Sequence, residues 1–411
     1  MPRGTQVAKT IALLGSMDTK GAEYGFVKER IEAGGHRTLV VDVGVLGPPA
    51  IAPDVTREQI ASEAGADLPA LAKTRDRGKA VAAMSRGAEA LMPRLYEEGA
   101  FDGVIALGGS GGTSVACAAM RALPLGVPKV MVSTVAGSDV SAYVGVSDIV
   151  MVPSIVDVSG VNKISRRVFT GAAAAICGMV EAEVPAGDDK PLIVASMFGN
   201  TTEAVETAKS VIEAHGYEVL VFHCTGTGGR TMESLIDAGL IAGSLDITTT
   251  EWADELVGGV FAAGPTRLEA AAKAGILAVV VPGCLDMVNF WAPDTIPPKF
   301  EGRTFYEHNP NVTLMRTNVE ENRRLGEEIA RRLNTSTGKV TVVFPLKGLS
   351  VIDSPGGPFW WPEADKALLE SLKASLRPGI EVIEMDNNIN DEVFARKCAE
   401  LLLQGLGKRQ D

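Results

Sequence analysis

The sequence predicts an α/β protein made of two Rossmann-like parallel-sheet domains related by an internal repeat, and three observations predict it. Short apolar runs alternate with stretches of helical period, the pattern of a parallel sheet covered by helices on both faces. One of these runs passes directly into Gly108-Gly109-Ser110-Gly111-Gly112-Thr113, a glycine-rich turn that opens a helix. The chain also aligns with itself: Leu13 through His36 lies without gaps on Val194 through Tyr217, an offset of 181 residues.

In chain order, the apolar runs at 10–14, 38–43, 103–107, 129–133, 149–152 and 192–195 read as strands. Residues 55–98 read as helices carrying a mixed-charge patch, Lys73-Thr74-Arg75-Asp76-Arg77-Gly78-Lys79. Such a patch is read more readily as a solvated helix start than as an anion clamp. An alanine-rich helix follows at 171–180, and the proline, glycine and charge cluster at 185–191 marks a boundary between domains 1–187 and 188–411. Each half begins with the same βαβ unit, closed at its first helix by Gly35 or Gly216. Near the end, Pro362 opens a helix through Leu376, a last strand covers 380–385 and a closing helix covers 391–403.

Whole-chain properties exclude several classes. With 411 residues and 46% apolar content, two domains are the working expectation. Lysine plus arginine number 39 against 51 acidic residues, a net charge of −12 that argues against nucleic acid as a partner. The first apolar stretch is too short for a signal sequence or a membrane span. Five scattered cysteines without a C-x-x-C pair fit a reducing cytoplasm, and four histidines without an H-x-x-x-H pair argue against a metal site. A homo-oligomer is expected on general grounds alone.

Right-handed crossovers bring the loops after successive parallel strands to one edge of the sheet, where function is expected. The glycine-rich turn offers backbone N–H groups and a positive helix end to phosphate or carboxylate oxygens. It is neither a Walker A sequence nor a dinucleotide fingerprint, since Ser114 stands where the last glycine is needed. Its neighbour contains Asp18, Thr19 and Lys20: the lysine suits a phosphate, while the other two suit a helix cap, a ribose hydroxyl or hydrated magnesium. Thr134 and Gly137 add hydroxyl and amide groups at a third strand end. In the second half, Thr225-Gly226-Thr227-Gly228-Gly229-Arg230-Thr231 reads as a second anion cradle, with His223, Glu233 and His308 as acid/base candidates. Glu233 reads slightly more readily as an ordinary first-turn acid. Asp286, Asn289 and Arg316 lie in stretches suited to a small polar substrate. Cys284 is a weak nucleophile candidate because no histidine adjoins it.

Met17-Asp18-Thr19-Lys20-Gly21, the glycine-rich turn, the 225–230 loop, Thr248-Thr249-Thr250-Glu251, Pro282 through Asn289 and His308-Asn309-Pro310 together resemble the family of the ATP-binding amino-terminal region of the tomato mosaic virus resistance protein and its uncharacterised bacterial relatives. The resemblance spans nearly the whole chain and implies two Rossmann-like subdomains and ATP binding, but no reaction. The plant members continue into a further domain that this chain lacks, so viral inhibition does not carry over. Met17 stands where leucine is expected, a change of little consequence for phosphate contacts.

The expectation is therefore a nucleotide-binding protein, with ATP, with or without Mg2+, between the Asp18-Thr19-Lys20 and 108–113 loops. The alternative is a metabolic enzyme acting on a small phosphorylated or carboxylated acid in a cleft between the halves. There His223 and His308 would serve as acid and base, and Arg230 and Arg316 as clamps. A partner-binding scaffold is a third class, for which no exposed apolar patch is evident from sequence.

Overall fold

The computed structural model describes residues 7–74, 76–187 and 189–407. Arg75 of the mixed-charge patch, Asp188 of the boundary cluster and the chain ends lie outside the described residues. The chain divides into two compact units at residues 186/187.

The first unit runs β1 (Thr10–Gly15), α1 (Met17–Ala33), β2 (Arg37–Asp42), α2 (Arg57–Glu63), α3 (Leu68–Thr74), α4 (Arg77–Glu97), β3 (Gly103–Gly108), α5 (Ser110–Ala122), β4 (Lys129–Ser133), α6 (Ser141–Val144), β5 (Val150–Pro153) and α7 (Lys163–Glu181). Its five strands are all parallel, in the order β2-β1-β3-β4-β5. Successive residues of β1 and β3 face opposite sides, so Ala12, Leu14, Val104 and Ala106 join one core and Ile11, Leu13, Ile105 and Leu107 the other. Both faces are thus covered by helices, as the unbroken apolar runs require. The chain steps from β1 outward to β2 and then across to β3 on the other side. This reversal makes a topological switch point, where a crevice opens at the carboxyl ends of the strands.

The second unit runs β6 (Leu192–Met197), α8 (Thr202–Glu213), β7 (Glu218–His223), α9 (Thr227–Asp237), β8 (Ile241–Thr248), α10 (Glu251–Val257), α11 (Glu269–Ala274), β9 (Leu277–Gly283), β10 (Met287–Phe290), β11 (Phe305–Asn309), β12 (Val312–Arg316), α12 (Val319–Leu333), β13 (Val340–Pro345), α13 (Pro362–Ser375), β14 (Glu381–Met385) and α14 (Glu392–Leu406). Its parallel sheet has the order β14-β13-β9-β8-β6-β7, so β7-β6-β8 repeats β2-β1-β3. Gly35 and Gly216, at φ of 90° and 83°, follow α1 and α8 at equivalent places in the left-handed region that favours glycine. The architecture is the duplicated Rossmann-like one that the repeat implies.

One segment departs from expectation. Within 287–316, where the sequence reading placed no strand, three strands form a separate antiparallel sheet of order β10-β12-β11. Asn309 makes its hairpin by accepting the N–H of Asn311 on its own side chain at 2.9 Å, a local bond that the Asn-Pro-Asn sequence supports. Among the described residues no helix is long and apolar enough to cross a membrane.

Candidate functional site

A cavity of about 710 Å³ opens at the carboxyl edge of the first sheet, beside the β1/β3 switch point. One wall is glycine-rich: Gly15 and Ser16 after β1, and Gly108, Gly109, Gly111 and Gly112 after β3. The opposite wall is apolar, with Val43 and Val45 after β2 and Leu71, Val81 and Met84 from the α3–α4 crossover.

The glycine wall carries the polar chemistry. Gly109 is the N-cap of α5 and supplies no side-chain acceptor. Thr113 N–H bonds to Gly109 O at 2.9 Å, while the first-turn N–H groups of Ser110, Gly111 and Gly112 have no acceptor among the described residues. Gly108 is glycine because a Cβ there would lie 3.1 Å from the Gly112 Cα, where strand end and helix cross. A second helix begins at the same cavity. Arg77 is the first residue of α4, and its Nη2 lies 3.2 Å from the place a Gly111 Cβ would occupy. Asp76 caps α4 by accepting Lys79 N–H at 3.1 Å, and Arg77 has no ion-pair partner among the described residues. Two helix N-termini and an unpaired guanidinium therefore border one cavity.

The start of α1 is different, since the chain supplies its own anion there. Asp42 accepts the N–H groups of Met17 at 2.9 Å and Gly44 at 2.8 Å, and burial raises its pKa. The open positive end of the cavity is at α5 and not at α1.

Several expected contacts are taken up within the fold. Asp18 does not cap α1; its Oδ2 accepts the N–H groups of Leu46 at 2.7 Å and Gly47 at 3.1 Å, fixing the loop after β2. Lys20 lines the cavity; its ammonium donates to Val158 O, a bond that leaves two N–H donors and the full charge beside the cavity. Thr113 is fully buried, with its hydroxyl on Gly109 O at 2.9 Å and Ser133 Oγ at 2.6 Å, so it latches β4 to α5 instead of facing a ligand. Thr19 is exposed and lines the cavity; Ser110 is exposed in the first turn of α5. Thr134 and Gly137 are exposed outside the cavity lining, although Thr134 Oγ1 lies 3.6 Å from where a Gly109 Cβ would be.

In the second unit the expected cradle at the start of α9 is already filled. Glu251 Oε1 accepts the N–H groups of Gly226 at 2.8 Å and Gly229 at 3.1 Å, while its Oε2 accepts from Arg267 Nε at 2.7 Å. Arg267, 1% exposed, also makes a bidentate pair with Asp246 at 2.7 and 2.6 Å. Gly229 has no room for a substrate, since a Cβ there would sit 2.1 Å from Glu251 Oε2. Gly228 is equally committed, 1.7 Å from His223 O by the same measure. Glu233 accepts the Leu268 N–H at 2.5 Å beside Arg267, and burial pushes its pKa up to about 7.

The remaining second-half candidates divide between interior and surface. Arg316 is buried and donates to Phe359 O at 2.7 Å, Asp365 at 2.6 Å and Asp353 at 3.3 Å, which removes it as a substrate clamp. Asp286 is buried against Ser350 Oγ at 2.8 Å, with its pKa pushed up to about 6 by burial. Asn289 is buried on Asp254 at 3.0 Å and Thr250 at 3.2 Å. His223, His308 and Arg230 are exposed; His308 Nε2 lies 3.9 Å from a Gly199 Cβ position, and neither imidazole has a hydrogen-bond partner among the described residues. Cys284 is buried and its thiol pKa is raised by that burial.

The sequence reading gave no site role to Asp42, Glu251 or Arg267, and placed Arg77 in a charged patch read as a helix start rather than an anion clamp. Asp42 had a signal, an acid at the end of a buried strand facing the start of α1. Arg77 had the charged patch around it as a signal, and Arg267 had none beyond its proximity to a helix start.

Comparison with known proteins follows this division of the chain. Residues 9–185 match the amino-terminal domain and residues 190–406 the carboxyl-terminal domain of the uncharacterised protein family UPF0261, and the chain belongs to that family. A UPF0261 protein of Clostridium tetani is 49% identical over 97% of this chain and 100% of its own length. One from Mesorhizobium japonicum is 45% identical over 96% and 98%. The tomato ToMV resistance protein Tm-1(GCR237) is 43% identical over 80% of this chain and 45% of its own length.

Proposed function

We propose that the first unit binds a phosphate-bearing small molecule, a nucleotide such as ATP, in the cavity at the β1/β3 switch point. The observation that carries this reading is the convergence there of the uncapped α5 amides with the Arg77 guanidinium, which has no ion-pair partner among the described residues. The amides of Ser110, Gly111 and Gly112 receive phosphate oxygens, and Arg77 joins Lys20, which lines the same cavity, in neutralising their charge. Val81, Met84 and Val115 offer an apolar surface to the base, and the exposed hydroxyl of Thr19 suits a ribose. The cavity volume falls in the range of small-molecule sites, roughly 300–1,000 Å³.

Asp18 Oδ2 is held by two amides, while its Oδ1 is buried beside Gly44 with no hydrogen-bond partner among the described residues. The alternative enzyme reading gains nothing from Arg316, Gly228 or Gly229, which are committed to the interior.

Thermal unfolding of the full chain with ATP, with and without Mg2+, tests the reading. A ligand that binds only the folded state at a hundred times its Kd adds about 2.7 kcal/mol of stability. No rise in Tm at millimolar nucleotide overturns the proposal.

A further inference from the structure

We propose that Tyr24 is the positioning residue of the cavity, its hydroxyl held between β1 and β3 where the strands part and setting the separation of the two loops that receive the ligand. The functional consequence rests on the nucleotide reading above; the geometry does not. The last paired residues of β1 and β3 are Leu14 and Ala106. One step further on, the Tyr24 oxygen accepts Leu107 N–H at 2.7 Å and donates to Leu14 O at 2.6 Å, with Leu107 O 3.0 Å away. The phenol thus replaces the rung that the diverging strands no longer make, and it does so one residue before Gly15 and Gly108, where both loops begin.

The fit is tight. Tyr24 is fully buried, and a Cβ on Gly15 would lie 2.0 Å from its oxygen, so a side chain at residue 15 cannot coexist with the phenol. Burial raises the phenol pKa well above its ordinary range, so the group stays a neutral donor and acceptor.

The second unit shows the other solution to the same problem. Val205 stands at the place of Tyr24, and Ser196 at that of Gly15. There the short Ser196 hydroxyl bridges the equivalent strands β6 and β8, accepting Thr248 N–H at 2.9 Å and donating to Asp246 at 2.6 Å. A bridge made from the strand itself fills the crevice with a side chain. One reaching up from α1 leaves Gly15 bare and the crevice open.

Tyr24→Phe keeps the ring and removes the hydroxyl, leaving Leu107 N–H and Leu14 C=O without their partner. Losing one such bond corresponds to about a tenfold change in an equilibrium. Amide hydrogen exchange on the full chain should accelerate by about tenfold at residues 14–16 and 107–112, above any uniform change. The Kd for ATP, measured well below Tm, should rise by about tenfold. Val27→Ala, a core truncation in the same helix, is the control for simple destabilisation and should leave the ATP Kd within about twofold. Uniform acceleration across the unit overturns the proposal, as does an ATP Kd that responds equally to both variants. If the wild-type chain binds no ATP, the nucleotide reading fails, and the exchange pattern still decides the role of Tyr24. Should Tyr24→Phe not fold, Gly15→Ala, which presses a methyl group onto the phenol, must produce the same local acceleration; its absence overturns the proposal.

Discussion

Arg77 should be a residue that the empty protein is better off without. It occupies the first position of α4 and lies beside the first turn of α5, so its charge faces the positive ends of two helices. Each such placement costs about 0.3–1 kcal/mol at low ionic strength, and Asp76, one residue earlier, offsets part of it. Arg77→Ala also places the best helix former at the start of α4. The expected result is an unliganded protein more stable by about 0.5 kcal/mol at low salt, a gain that shrinks as salt screens it. Ligand binding should move the other way. An exposed guanidinium against a phosphate, discounted for solvent, is worth about 1–2 kcal/mol, so the ATP Kd should rise roughly fivefold to thirtyfold. Urea unfolding at two ionic strengths, with and without nucleotide, measures both effects on one preparation. A variant that is less stable when empty, or that binds as tightly as wild type, refutes the electrostatic reasoning.

Two further outcomes concern the second unit. Gly229→Ala drives a methyl group onto Glu251 Oε2 and should detach that carboxylate from α9 and Arg267, costing about 3 kcal/mol in urea unfolding; a loss under about 0.5 kcal/mol means the cap is not structural. Glu233, with its pKa raised from 4.5 to about 7, binds its proton more tightly in the folded state. Its contribution is therefore fully present below its ordinary pKa and is lost as pH rises through about 7, amounting to about 3 kcal/mol at most. Glu233→Gln should flatten that decline, which unfolding curves between pH 5 and 8 would show; an unchanged pH profile rules out Glu233 as the source.

What the sequence made legible was whatever depends on neighbours along the chain. Strands such as β4 and β6 are continuous apolar runs, and the repeat aligns because both halves need a glycine at 35 or 216 after the first helix. The glycine-rich turn was legible because Gly108 and Gly112 meet where strand and helix cross. Roles that depend on distant partners were not. Nothing near Gly226 and Gly229 announces that Glu251 will cap them from 25 and 22 residues away. Lys20 was legible as a lysine beside a glycine loop, but not its bond to Val158 O, 138 residues on. Arg77 sat in a charged patch whose local appearance is that of a solvated helix start. Only the crossover from β2 to β3 brings it to α5.

The two units treat the helix amides at their strand ends differently, and on the nucleotide reading this difference directs an external anion to the first unit. At the β6/β8 end, Arg267 is matched by Asp246, Glu251 and Glu233, and the α9 amides are occupied by Glu251. A buried arginine without such partners would carry a desolvation penalty of several kcal/mol, so this set is closed by necessity. At the β1/β3 end, Arg77 reaches solvent and needs no internal partner, and the α5 amides have no acceptor among the described residues. Pyrophosphate, which carries the charge of a nucleotide without its base, isolates this difference. Added to the full chain, it should slow amide exchange at 110–112 and leave 226–230 unchanged, because at the second place an incoming phosphate would have to displace a carboxylate held by two amides and a guanidinium. Equal protection of both segments would show that the Glu251 cap opens readily, and with it the reason for assigning the ligand to the first unit alone would fall.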